Sequence, residues 1–144
     1  MRKLLIINPN SSPKMTYDIK MTLKEQSGLD IINMPKAPEV LESFTDYTLA
    51  GTEVIHYIKN NDLSSYSGIL LACFGDPCLY ALKELCNIPV IGIAEASFSR
   101  ALLLGNKFSV VAASAKAKPM MESLIDMYGL QMRNAGTVTL ATDI

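Results

Sequence analysis

Three short stretches combine residue types that could move protons or hold a small polar ligand. "CFGDP" at 73–77 ends an apolar run on a cysteine and follows it with glycine, aspartate and proline. A thiol just ahead of a helix start would feel the positive end of the helix dipole, which lowers its pKa and favours the thiolate. Such a thiolate abstracts a proton or attacks a carbonyl. Gly75 lets the backbone turn sharply beside a ligand. The same position also suits a small hydrophobe buried at a strand end, so local sequence leaves both readings of Cys73 open. "NPNSS" at 8–12 offers the amides of Asn8 and Asn10 and the Ser11 hydroxyl ahead of a second helix start. Its free N–H groups would cradle a carboxylate or an imide, although a capped strand-to-helix turn accounts for the same residues. "GIAEAS" at 92–97 sets Glu95 directly after an apolar run, where it either caps a helix or faces a pocket.

Other chemistry is poorly supported. The three cysteines are Cys73, Cys78 and Cys86, and the one histidine is His56. Three unevenly spaced thiols without a fourth ligand make no zinc site, so no metal is expected. Cys78 and Cys86 fall within the helix that follows the Cys73 loop and read as packing residues. His56, between Ile55 and Tyr57, reads as a half-exposed helix residue, and Met120 and Met121 as core. Neither GxGxxG nor GxxxxGK[ST] occurs, which removes the main support for a nucleotide. The net charge is −1 with no basic stripe, so neither nucleic acid nor an anionic membrane is an expected partner. The N-terminal apolar run "LLII" breaks at Asn8 and Pro9, too short for a secretory signal, and no stretch reaches membrane-span length. An odd number of cysteines with no export signal predicts reduced thiols and a cytoplasmic location.

These loops need a scaffold, and the pattern supplies one. Apolar runs at 3–8, 29–34, 67–72, 88–94 and 107–113 read as buried strands, with a last short strand at 136–141. Between them lie helical patterns: one from Pro13 toward Gly28, one over 43–60, one over 76–85 with Asp76 as cap and Pro77 first, one from Glu95 to Gly105, and one over 115–128. The two prolines in "PKAP" at 35–38 mark a loop. With 49% hydrophobic and 19% charged residues, 144 residues are enough for a real core. The expected class is α/β: a mainly parallel sheet with helices on both faces. In such sheets ligands collect outside the carboxyl ends of the strands, where all three stretches fall.

"INPNSS", "ACFGDP", "IPVIGIAEA" and "KFSVVAA", in that order, resemble the hydantoin racemase branch of the aspartate/glutamate racemase superfamily, which also holds allantoin racemases. The resemblance covers nearly the whole chain, and the pairing of the first two motifs is specific. It implies two similar α/β halves with the site between them, here 1–95 carrying the Cys73 loop and 96–144 beginning a second, incomplete half. It implies a cofactor-independent racemase of a hydantoin, allantoin or related amino-acid derivative, in which two cysteines flank the stereocentre. Cys73 would be the first; Asn8, Asn10, Ser11 and the Phe74 backbone would line the substrate site, with Glu95 a nearby acid. Two departures stand out. Ala112 and Ala113 occupy a strand exit that is usually threonine-rich. The second cysteine belongs to a "GCAGM"-like loop that the sequence does not reach by Ile144, and Cys78 and Cys86 cannot replace it. An incomplete second half would leave apolar faces uncovered, so a homo-oligomer is expected. The alternatives are a non-catalytic ligand-binding or assembly module, or a decarboxylase or isomerase of the same superfamily.

Overall fold

The computed structural model describes residues 2–140. Strands β1 (Lys3–Asn8), β2 (Leu29–Asn33), β3 (Tyr66–Leu71) and β4 (Val90–Gly92) form one parallel sheet in the order β2-β1-β3-β4. Strands β5 (Phe108–Ala112) and β6 (Asn134–Thr139) form a separate parallel pair. Position 141 of the expected last strand lies outside the described residues. The parallel strands expected from the apolar runs fall into two sheets, because strand propensity marks which segments extend but not which of them pair.

The strands alternate faces, and this builds the layers. Leu5, Ile7, Ile69, Leu71 and Val90 point to one side and pack on α2 (Phe44–Asn60) and α3 (Leu79–Leu85), through Ala50, Val54, Ile58, Leu79 and Leu82. Ile6 and Leu70 point to the other side, toward Met15, Ile19 and Leu23 around α1 (Pro13–Thr22). A second core gathers Ala94 and Phe98 of α4 (Ile93–Leu104), Val110 and Ala112 of β5, and Met120, Met121, Leu124 and Ile125 of α5 (Ala117–Met127). The change from one core to the other falls between Val90 and Ala94. Leu4, Ile91, Leu103, Val111 and Val138 remain exposed on the outer surfaces. No helix among the described residues is long and apolar enough to cross a membrane.

Local chemistry explains most helix ends. Ser12 caps α1, accepting from the Met15 N–H at 3.3 Å, and Pro13 opens the helix. Ser43 caps α2: its hydroxyl accepts from the Asp46 N–H at 3.1 Å while the Asp46 carboxylate accepts from the Glu42 N–H at 3.0 Å. Gly129, at φ 67°, closes α5 with a pair of bonds, its own N–H to the Asp126 carbonyl and the Leu130 N–H to that of Ile125. Helix α1 ends at Thr22, short of Gly28, since the chain turns at 23–25 to reach β2.

Two boundaries differ from expectation for one reason. Helix α3 begins at Leu79 rather than at Asp76, and α4 begins at Ile93 rather than at Glu95. Asp76 and Cys78 stand in the left-handed region, at φ 42° and 59°, so 76–78 is a turn and not a helix start. Asp76 caps α4 instead, 18 residues along the chain.

Candidate functional site

Because β1 and β3 are paired neighbours, their exits open side by side at the carboxyl edge of the sheet. Ile7 faces Leu71 across the ladder, and the Ala72 N–H donates to the Ile7 carbonyl at 2.8 Å. Asn8 and Cys73 therefore leave adjacent strands onto the same edge. Glu95 arrives there as well, through β4 and the first turn of α4.

The β1 exit is a closed polar network. Asn8 is 1% and Asn10 4% exposed. The Asn8 amide donates to Asn10 Oδ1 at 2.7 Å and to Thr16 Oγ1 at 3.1 Å, and Asn10 Oδ1 also accepts from the Ser12 N–H at 3.0 Å. The Asn10 amide donates to Met15 Sδ at 3.1 Å. Both side chains hold the turn together, as buried polar groups must be satisfied. Ser11, half-buried, ties the loop to its neighbours through its backbone, donating to the Pro38 carbonyl at 3.2 Å and accepting from the Asn33 amide at 3.0 Å.

Cys73 is half-buried in the turn after β3. Sequence reasoning expects a lowered thiol pKa from a helix start, and the structure reverses this. Burial pushes the thiol up to about 12, the Asp76 charge pushes it the same way, and only the Gly75 N–H pulls it down. The helix start lies six residues on, at Leu79, and not directly after the Cys73 loop. Cys78 and Cys86 bracket α3 as its two cap residues rather than sitting inside it, and both pack on the first core. Burial raises Cys78 to about 12 and raises Cys86 as well. The Phe74 ring turns away into the second core, edge-on to Phe98 at 5.5 Å.

Glu95 sits in the first turn of α4 with its carboxylate on Lys83 Nζ. The helix start itself is occupied by Asp76, which is 3% exposed. Asp76 Oδ1 accepts from the Ala94 N–H at 3.1 Å; Oδ2 accepts from the Glu95 N–H at 2.8 Å and from the Tyr128 hydroxyl at 2.6 Å. Burial raises this carboxyl's pKa, and those three donors work against the rise. The Ala94 and Glu95 N–H groups of α4 are thus taken by the protein itself and are not free for a ligand.

A cavity of about 480 Å³ lies behind the Cys73 turn, between α2 and α5, with Tyr47, Gly75, Asp76, Cys78, Met120 and Leu124 in its wall. Asn8, Asn10, Ser11 and Cys73 are not among its lining residues. Tyr47 stands over the turn: a Cβ on Gly75 would lie 2.2 Å from its ring and hydroxyl oxygen. Its phenol is raised by burial and by the charges of Cys73 and Asp76. Sequence reasoning overlooks Tyr47, Asp76 and Tyr128. Tyr47 falls there within the helical pattern over 43–60 and Asp76 counts as a cap of its own helix, while nothing local marks Tyr128. Among the described residues no three of His, Cys, Asp and Glu come together as a metal site.

Comparison with known proteins places this geometry. A family model for the Asp/Glu/hydantoin racemases matches residues 4–143. The hydantoin racemase of Pseudomonas sp. (strain NS671) is 38% identical over 135 residues, 91% of this chain and 54% of its own. That of Paenarthrobacter aurescens is 30% identical, over 92% of this chain and 58% of its own. Among solved structures, allantoin racemase from Klebsiella pneumoniae superposes with a TM-score of 0.87 at 29% identity, covering 96% of this chain and 58% of that one. The chain spans about half the length of the curated relatives it matches.

Proposed function

We propose, from the premise that this chain belongs to the Asp/Glu/hydantoin racemase family, that it carries one proton-transferring thiol of a cofactor-independent racemase. The substrate class is a cyclic ureide, hydantoin or allantoin, or a related amino-acid derivative. The observation that carries this reading is the placement of Cys73 on the strand exit next to the Asn8–Ser11 exit, at the sheet's carboxyl edge.

The chemistry follows from the carbon involved. A hydrogen next to a carbonyl is acidic enough for a thiolate to remove, and the resulting planar centre accepts a proton on either face. Burial keeps Cys73 mostly as the thiol at rest. The reaction begins when that thiol gives its proton to solvent; the thiolate then takes the α-hydrogen, and exchange of the re-formed thiol with solvent lets a solvent-derived proton return. Inversion needs a second carrier on the opposite face. Cys78 and Cys86 do not serve, since both pack on the first core behind the turn. Asn8 and Asn10 act by fixing the β1 exit beside the thiol, with the Ser11 hydroxyl and the Phe74 backbone facing the substrate. Glu95, held by Lys83, tunes the charge around Asp76. The exposed apolar residues of the outer faces support a homo-oligomer.

The test is solvent deuterium. A resolved 5-substituted hydantoin incubated with the protein in D2O should gain deuterium at its α-carbon faster than the buffer control, and Cys73→Ala should abolish the gain. Equal incorporation by both proteins removes Cys73 from the reaction. Binding without incorporation by either would favour a ligand-binding module.

A further inference from the structure

Asp76 takes no part in the proton transfer proposed above, yet four segments meet at its carboxylate. The turn that carries Cys73 supplies it, and its own N–H donates to the Cys73 carbonyl at 3.1 Å. The first turn of α4 gives it two N–H donors, and Tyr128, just past α5, gives it a hydroxyl. The end of β4 makes room for it at Gly92, where a Cβ would lie 2.2 Å from the carboxylate.

We propose that Asp76 is the positioning residue for Cys73: its carboxylate clasps the thiol-bearing turn to the start of α4 and the end of α5. This rests on reading Cys73 as a proton carrier. A carrier on a loop is useful only if the loop holds still, because misplacement by an ångström costs a proton transfer dearly. With the clasp made, the turn that bears the thiol keeps a fixed place relative to α4 and Tyr128. The clasp also sets the local charge. Asp76 faces Cys73, Tyr47 on α2, Tyr128 beyond α5 and Glu95 on α4, the last paired with Lys83 of α3. Its anion disfavours the thiolate and so holds Cys73 in the proton-donating form.

A residue that only capped α4 would stabilise the whole molecule without singling out one thiol. The 144-residue chain and its Asp76→Asn, Asp76→Ala and Tyr128→Phe variants are therefore labelled with iodoacetamide between pH 7 and 9, with rates resolved by mass at each cysteine. Asp76→Ala, which opens the clasp, should speed Cys73 by about tenfold or more. Asp76→Asn keeps one acceptor but loses the charge, and should speed Cys73 about threefold at every pH, as the anion no longer opposes ionisation. Tyr128→Phe should give a smaller rise and serves as the test where Asp76→Ala fails to fold. Cys78 and Cys86 should stay within about twofold. Unchanged Cys73 rates in the folded variants, or equal rises at all three thiols, overturn the proposal. The readout uses no substrate, so failure of deuterium incorporation would defeat the racemase reading and not the clasp.

Discussion

Gly92→Ala isolates the clasp from every other property of its position. The backbone there, at φ −93° and ψ 147°, suits any residue, so the substitution adds a methyl group and no conformational strain. That methyl would lie 2.2 Å from Asp76 Cγ and Oδ1 and 2.5 Å from Oδ2. The carboxylate must retreat by about an ångström to relieve the contact, which breaks its bonds to the Ala94 and Glu95 amides. Hydrogen bonds to a charged group contribute about 1.5–3 kcal/mol each, so loss of the two should cost about 3–6 kcal/mol. For a chain of this length that corresponds to a fall of about 10–20 °C in Tm. Gly75→Ala provides the comparison, since its Cβ meets the far end of Tyr47 at the same 2.2 Å. Tyr47 can swing into the cavity beside it, at about 1 kcal/mol for an altered rotamer. Urea and thermal unfolding of both variants, and of Gly92→Ala in an Asp76→Ala background, measure the difference. In that background the Gly92 cost should drop below about 1 kcal/mol. Equal losses at Gly92 and Gly75, or full additivity with Asp76→Ala, would refute the reasoning.

Thiol reactivity should follow burial: Cys86 should alkylate fastest at pH 8, with Cys73 and Cys78 slower. A thiol at about 12 is almost wholly protonated at neutral pH, so the Cys73 and Cys78 rates should climb about tenfold per pH unit up to pH 10 without a plateau, and a plateau below pH 9 would contradict this. Asn10→Ala should cost about 2–4 kcal/mol in urea unfolding, because it strands the Ser12 N–H and one donor of the buried Asn8 amide; a loss under about 0.5 kcal/mol would show that the network contributes nothing to folding.

The parts of this fold readable from sequence are those set by neighbours along the chain. Solid apolar runs mark the strands, and Ser12–Pro13, Ser43 and Gly129 mark helix ends, because each acts within four or five residues. Asp76-Pro77 carries the same local signature as a helix start and misleads for that reason. Its carboxylate serves a helix 18 residues away, and that choice depends on β3 and β4 being paired. The error propagates to Cys73: α3 starts at Leu79 and not at Asp76, and burial raises the thiol's pKa. Tyr47 keeps the helical spacing of a core residue, and only the tertiary structure shows its hydroxyl end over Gly75. The division into two sheets is not marked by the apolar runs themselves, since β4 and β5 differ in partner and not in composition.

The separations along the chain also set an order in time. The Asp76 carboxylate takes its donors from 18, 19 and 52 residues further on, so its three bonds need the Cys73 turn, α4 and Tyr128 to be brought together first. Contacts between residues so far apart cost more loop-closure entropy than the turns of α2 or α5, and they are expected to form on the native side of the folding barrier. Weakening them changes the rate at which the molecule comes apart more than the rate at which it assembles. The clasp is a brake on unfolding, and the first motion it restrains is separation of the Cys73 turn from α4.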